Sequence, residues 1–254
     1  MPFGLSNAPG TFQRLMNHVL QEYLDEFLTV YIDDIVIYSE TFEKHLIHLE
    51  KTFRKIKEAN LTLGLEKCEF AKEKLKFLGH EISKEGIQSD PDKIVKIQEF
   101  KRPGTVKEVR QFLGLTSYYR RFINNFSKIA RPINSLLNKD IGFEWKEEQE
   151  KAFEELKKRL METPVLQYPD FNRSFIICTD ASEKGLGAVL EQLDDEGKEK
   201  PVAYASRSLK PAELNYSVTD LECLAVIWAV QKFHKYLIFK PFEIVTDHAA
   251  LKTL

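Results

Sequence analysis

The sequence predicts an α+β region followed by an α/β region, and three observations carry that prediction. β-Branched and aromatic runs flank Asp33-Asp34, as the strands of a hairpin do. From residue 90 to 160, capping signatures precede apolar residues at three- and four-residue spacing, the pattern of a helical layer. Beyond residue 165 strand-like runs return, two of them ending in Thr-Asp, with one long helical pattern between those two. At 254 residues the chain has room for one large domain or two ordinary ones.

Residues 1–10 are rich in turn formers, and Phe12, Leu15, Met16, Val19 and Leu20 predict a helix over 11–24. Val30 to Ile32 and Ile35 to Tyr38 then predict a hairpin with Asp33-Asp34 at its tip. A helix is expected over 41–59 on Leu46, Leu49, Phe53 and Ile56, and strands within 61–83. His45 and His48 sit one turn apart on that helix, but with Cys68 and His80 they match no structural zinc spacing. Asp90-Pro91 sets an Asp cap before a proline at the first helical position. Thr105 with Glu108 is a capping-box signature, opening a helix that continues through Phe122. A mixed-charge helical stretch fills 139–160, and Pro164 and Pro169 mark a domain boundary near 165. Strands follow at 175–180, 185–190 and 201–205, then a helix over 218–237 and a strand at 242–247.

The chemistry concentrates in carboxylates. Asp33-Asp34 reads either as a solvated turn or as a divalent-metal site whose hard oxygens hold a cation against a triphosphate. Asp180 and Asp247 stand at equivalent strand ends, and Glu222 lies in the first turn of the intervening helix. Together they outline a second cage for Mg²⁺. Each also has a plainer role: Asp247 as the cap of a helix starting at His248, Glu222 as the partner of Thr219 in a capping box.

The net charge of −2 gives no general affinity for nucleic acid. Locally, residues 90–131 hold ten Lys and Arg against four Asp and Glu, with Tyr118, Tyr119 and Phe122 among them. That composition predicts a surface tracking a duplex backbone, with solvated basic helix faces as the plain alternative. Cys68, Cys178 and Cys223 are odd in number and scattered, which favours a reducing, intracellular setting over a disulfide framework. The N-terminus lacks a signal-peptide layout, and no apolar run approaches the ~18 residues of a membrane span.

The segment Pro2-Phe3-Gly4-Leu5-Ser6-Asn7-Ala8-Pro9-Gly10-Thr11-Phe12-Gln13, with Tyr31-Ile32-Asp33-Asp34 and Phe77-Leu78-Gly79-His80, resembles the reverse transcriptase of Gypsy-type LTR retrotransposons. Cys178 to Ser182, Pro201 to Ser206, Glu222 to Ala225 and Thr246-Asp247-His248 resemble the ribonuclease H domain that follows it in the same Pol polyprotein. The resemblance spans the chain in the family's order. It implies a partial polymerase palm over 1–89, a helical thumb and connecting helices over 90–164, and a C-terminally truncated ribonuclease-H-like domain over 165–254.

The implied activities are RNA-directed DNA polymerase and ribonuclease H, both with Mg²⁺ or Mn²⁺ as cofactor. Among implied substrate-binding residues, Phe3 shapes the sugar site, Gly4, Asn7 and Pro9 set the loop of the nucleotide pocket, and Gln13 follows in the same segment. Tyr31 and Ile32 lead to the metal ligands Asp33 and Asp34, and Lys67 lies in the neighbouring palm segment. Phe77, Leu78, Gly79 and His80 match the primer grip, and Asp180, Glu222 and Asp247 match three of four nuclease metal ligands.

The implied partners are an RNA template, a DNA primer, an RNA/DNA hybrid, deoxynucleoside triphosphates and other parts of the polyprotein such as protease and integrase, with no membrane. The implied setting is a cytoplasmic virus-like particle or the nucleus. The family's first palm aspartate precedes the opening loop and its fourth nuclease ligand follows residue 254, so a fragment inactive as a polymerase alone is expected. Two other readings stay open: a decayed or co-opted copy that binds nucleic acid without catalysis, and a metal-free connection domain of ribonuclease-H-like fold.

Overall fold

The computed structural model describes residues 6–138 and 142–253. Two compact units divide the chain at residue 77, the first over 1–77 and the second over 78–254.

In the first unit, helix α1 (Ala8–Val19) has Pro9 in its first turn, where a missing N–H costs nothing. It ends five residues before the predicted stop, because residues 20–27 fold into successive turns. Strands β1 (Leu28–Tyr31) and β2 (Asp34–Ile37) form an antiparallel hairpin. Met16, Leu20, Phe27 and Leu28 make the buried core, so α1 packs its apolar stripe on the inner end of the hairpin. Helix α2 (Phe42–Glu58) begins where Thr41 Oγ1 accepts the Lys44 amide at 3.3 Å. Its buried residues are Thr52 and Ile56, whereas Leu46 and Phe53 of the expected stripe are exposed. His45 and His48 are half-buried and both pair with Ser39 Oγ through Nδ1. Strand β3 (Lys74–Phe77) closes the unit.

The second unit starts with strands β4 (His80–Ser83) and β5 (Gly86–Ser89), paired antiparallel. Helix α3 (Pro91–Gln98) is capped by Asp90, whose Oδ1 accepts the Asp92 amide at 3.0 Å. Helix α4 (Val106–Tyr118) is capped by Thr105, and Glu108 reaches back to the Gly104 amide at 2.7 Å. Helices α5 (Phe126–Ser135) and α6 (Glu147–Met161) complete a helical layer around Val109, Phe112, Phe122, Ile133, Phe153 and Leu156. Ile87 and Leu166 exchange two backbone hydrogen bonds of 2.9 Å, so the chain after α6 returns to β5.

A four-stranded sheet follows, with β6 (Phe175–Ser182), β7 (Gly185–Leu193), β8 (Glu199–Ser208) and β9 (Phe242–Val245) in the order β8-β7-β6-β9. The first three strands are antiparallel, and β9 joins β6 in parallel after helix α7 (Val218–Leu237). A parallel partner needs such a crossover. Phe175, Ile177, Ala188, Leu190 and Val202 of the sheet pack against Ala229, Phe233 and Leu237 of α7. The alanines allow helix and sheet to approach closely. No helix among the described residues is long and apolar enough to cross a membrane.

Candidate active sites

The first site is the β1–β2 hairpin, where the structure corrects the sequence by one residue. Tyr31 pairs with Asp34, so the two-residue tip is Ile32-Asp33 and not Asp33-Asp34. Asp34 opens β2 while Asp33 projects from the turn, and both are exposed. Ile32 has φ 53°, a left-handed backbone that a β-branched residue adopts only under constraint. Gln13 of α1 supplies the constraint. Its Oε1 accepts the Ile32 amide at 2.5 Å, and its Nε2 donates to the Val30 carbonyl at 3.2 Å and to Asn17 Oδ1 at 2.7 Å. The Gln13 amide, expected to face substrate, is thus engaged by the hairpin backbone.

Other expected contacts of this unit are placed less tightly. Asn7 is the exposed N-terminal cap residue of α1, and its side chain makes no cap bond. Pro9 is exposed in the first turn, Tyr31 is half exposed, and Lys67 ends a short 3-10 turn on the surface. Phe77 is half-buried at the end of β3. Phe3 and Gly4 lie outside the described residues.

In the second unit, Leu78 and Gly79 both have positive φ, 48° and 69°, just before His80 opens β4. The hydroxyls of Tyr118 and Tyr119 donate to the Leu78 and Gly79 carbonyls at 2.5 and 2.8 Å. The His80 ring stacks on Tyr118 with 5.3 Å between centroids, and burial, reinforced by Arg121, lowers its pKa. The basic stretch after residue 90 is mostly exposed, Lys93, Lys96, Lys107, Arg110 and Arg120 included. Its aromatic residues do not follow. Only Tyr118 is exposed, while Tyr119 and Phe122 are buried in the helical core, so the expected interleaved aromatic surface reduces to one ring. One helical step separates an exposed from a buried side chain there, and composition does not resolve it.

The sheet site tests the plain roles offered for Glu222 and Asp247. The cap of α7 is Ser217, which accepts the Asp220 amide at 3.2 Å while Asp220 accepts the Ser217 amide at 3.3 Å. The capping box is therefore Ser217/Asp220, and Glu222 has no part in it. Thr246 Oγ1, not Asp247, accepts the His248 amide at 3.2 Å. Both carboxylates are left without the duties that would have explained them.

Glu222 is 6% exposed, and its Oε2 is buried without a hydrogen-bond partner. Burial raises its pKa, the Ala181 backbone amide opposes that, and the charges of Asp247 and Asp180 raise it further. Register brings these aspartates together. Cys178 pairs with Val245 across β6 and β9, so Asp180 and Asp247 each lie two residues beyond the last parallel pair. Strand β6 does not end at Asp180 as expected; it continues to Ser182 through pairing with β7. Asp180 and Asp247 are exposed, and among the described residues no group of three or more His, Cys, Asp or Glu closes tightly enough to hold a metal ion.

Two neighbours were not foreseen. Asn125, with φ 55°, lies between Phe122 and α5 and brings its Nδ2 to 3.5 Å from Asp180 Oδ2. A Cβ at Gly187 would overlap Asn125 Oδ1, so the glycine opposite Asp180 makes room for that amide. His248 Nε2 pairs with Thr219 Oγ1 at 3.0 Å at the start of α7. The usable signal was Asn124-Asn125 ahead of Phe126, since Asn tolerates a left-handed backbone.

Residues 1–82 match the family described as reverse transcriptase (RNA-dependent DNA polymerase), and residues 145–244 match the RNase H-like domain found in reverse transcriptase. The whole chain aligns at 44% identity with 24% of the retrovirus-related Pol polyprotein from transposon 297 of Drosophila melanogaster. The chain joins a reverse-transcriptase segment to an RNase H-like segment and is similar over its whole length to retrotransposon Pol polyproteins.

The chain also aligns over 99% of its length, at 40% identity, with 19% of the transposon Tf2-3 polyprotein of Schizosaccharomyces pombe. It thus spans about a quarter or less of the relatives it matches. Among solved structures, it superposes on foamy viral protease-reverse transcriptase in complex with dsDNA at a TM-score of 0.87 and 28% identity, covering 100% of this chain and 52% of that one. The foamy viral protein in complex with an RNA/DNA hybrid gives a TM-score of 0.83 at 28% identity, covering 98% of this chain and 33% of that one. The expected fold of palm, helical thumb and ribonuclease-H-like sheet is therefore the observed one.

Proposed function

We propose that this region copies RNA into DNA and cuts the RNA strand of the resulting hybrid, as part of a longer Pol protein that uses both of its carboxylate sites. The observation that carries the proposal is Glu222. A buried carboxylate with an unpartnered oxygen and two aspartate charges close by is costly by itself, and a divalent cation offsets that cost. Asp180, Glu222 and Asp247, not gathered into a closed cluster on their own, would draw in around such an ion in the sheet, and Asp33 and Asp34 would hold one in the hairpin. When bound, Mg²⁺ or Mn²⁺ neutralises charge developing at phosphorus during in-line displacement.

The protein's own residues supply the positioning. Gln13 fixes the turn that presents Asp33, and Tyr31 and Asp34 anchor that turn as its closing pair. The exposed lysines and arginines of α3 and α4 contact phosphates of a duplex without reading its sequence. In the sheet site, selection of RNA rests on its 2′-hydroxyls.

The test is cleavage of an end-labelled RNA/DNA hybrid by the longer Pol protein containing this region. Asp180→Asn, Glu222→Gln and Asp247→Asn should each lower cleavage by on the order of 10²-fold or more while leaving hybrid binding in place. Binding without cleavage by the unaltered protein would support instead a non-catalytic nucleic-acid-binding module.

A further inference from the structure

We propose that Tyr118 and Tyr119 are positioning residues for the Leu78-Gly79-His80 turn, holding its backbone in the form that receives the recessed 3′ end of a primer. The inference rests on the reading of the chain as a polymerase segment.

Two successive residues in the left-handed region make an unfavourable turn, and Leu78 lacks the freedom of glycine. Such a backbone persists where its surroundings over-determine it. Here two consecutive hydroxyls, from the last helical residue of α4 and the residue capping it, bind two consecutive carbonyls. The Gly79 carbonyl also accepts the Asp90 amide at 3.2 Å, tying the turn to the start of α3. Side chains reinforce the register: the His80 ring lies parallel to Tyr118 (14°) and edge-on to Tyr119 (80°). A Cβ on Gly79 would sit 3.4 Å from both the Tyr118 ring and the Tyr119 hydroxyl, so the fit is already tight.

The two tyrosines differ in burial, and the difference defines their tasks. Tyr119 is 3% exposed and packs near Phe122, which makes it the fixed post. Burial lifts its hydroxyl pKa to about 12, so it remains a donor throughout the neutral range. Tyr118 is 53% exposed and Leu78 is 38% exposed, so an apolar surface stays open there, and the exposed Arg120 follows two residues after Tyr118 in the chain. An exposed apolar face with a cation close by in the chain suits the end of a nucleic-acid strand, where a base or sugar meets a phosphate.

Replacing each tyrosine by phenylalanine keeps the rings and removes only the hydroxyls. Fluorescence anisotropy on the 254-residue chain would compare a duplex with a recessed 3′ end against a blunt duplex, while amide exchange follows residues 78–80. The Tyr118→Phe/Tyr119→Phe double variant should bind the recessed end about tenfold more weakly, as expected for the removal of two hydrogen bonds, and the blunt duplex within about twofold of the unaltered chain. Exchange at 78–80 should accelerate in the same variant. Equal weakening for both duplexes, or no change for either, would overturn the inference. If the unaltered chain binds neither duplex, the polymerase-segment reading fails, and unchanged exchange at 78–80 would then reject the tyrosine clamp separately.

Discussion

At the hairpin, Asp33 and Asp34 are neighbours in the chain, and their geometry is settled by one tight turn and one glutamine. At the sheet, Asp180, Glu222 and Asp247 come from β6, α7 and the segment after β9, and only the assembled fold brings them together. The first site depends on a few polar interactions, the second on packing and strand register. Damage to each should therefore look different. Breaking a hydrogen bond at the hairpin loosens the turn locally, whereas a packing error at the sheet lowers the stability of the whole second unit.

The largest effect should come from Gly187→Ala. Its Cβ would overlap the Asn125 amide opposite Asp180, and overpacking of this kind costs about 2 kcal/mol. Urea denaturation should register that loss, and Asn125→Ala should recover most of it in the double variant. A cost unchanged by the second substitution would mean that backbone strain, not the amide, excludes a side chain there. Next in size is Gln13→Ala, which leaves the Ile32 amide and Val30 carbonyl without their partner and should cost about 1 kcal/mol. Faster amide exchange at Ile32, with protection of the β6–β7 amides unchanged, would confirm the local character of the hairpin site. Uniform loss of protection would break the contrast.

A pH effect, small near neutrality, arises at the turn where local strain and a distant helix meet. Burial first, with Asp90 and Tyr118 adding, raises the Tyr119 hydroxyl from 10.0 to about 12. The folded state thus holds that proton more tightly, and the associated stability is complete below pH 10 and declines from 10 to about 12. Burial and Arg121 lower the pKa of His80, against Asp90, so the folded state prefers the neutral ring and stability declines as pH drops below 6.5. Thermal melts across pH should show both limbs, and Tyr119→Phe should flatten the alkaline one alone.

Local signals in the sequence place their elements correctly, whereas contests between two adjacent signals are decided only by the fold. Asp90-Pro91, Thr105 and the span of α7 stand where capping and periodicity place them. The hairpin tip is displaced by one residue because Ile32 adopts a backbone that turn preferences deny to a β-branched side chain. Only the hydrogen bond to Gln13, from another element, accounts for that. Thr219 with Glu222 had the spacing of a capping box, but Ser217 with Asp220 satisfies the same rule two residues earlier and starts the helix. Strand β5 carries little signal because Gly86-Ile87-Gln88-Ser89 is short and polar, and its outer contact, the bridge from Ile87 to Leu166, comes only after four helices. Asn125 beside Asp180 is wholly a product of tertiary packing.

The parallel register of β6 and β9 also bears on which changes of length the chain can absorb. Asp247 reaches its place because Val245 is fixed opposite Cys178 and two residues follow. Removing one residue between Ile238 and Pro241 would oblige β9 either to start late or to slide, and a slide of one residue turns each of its side chains to the opposite face. Substitutions at Lys240 or Pro241 carry no such penalty. In that short connection, residue count is under tighter constraint than residue identity, and single-residue insertions and deletions there should be more damaging than substitutions at the same positions.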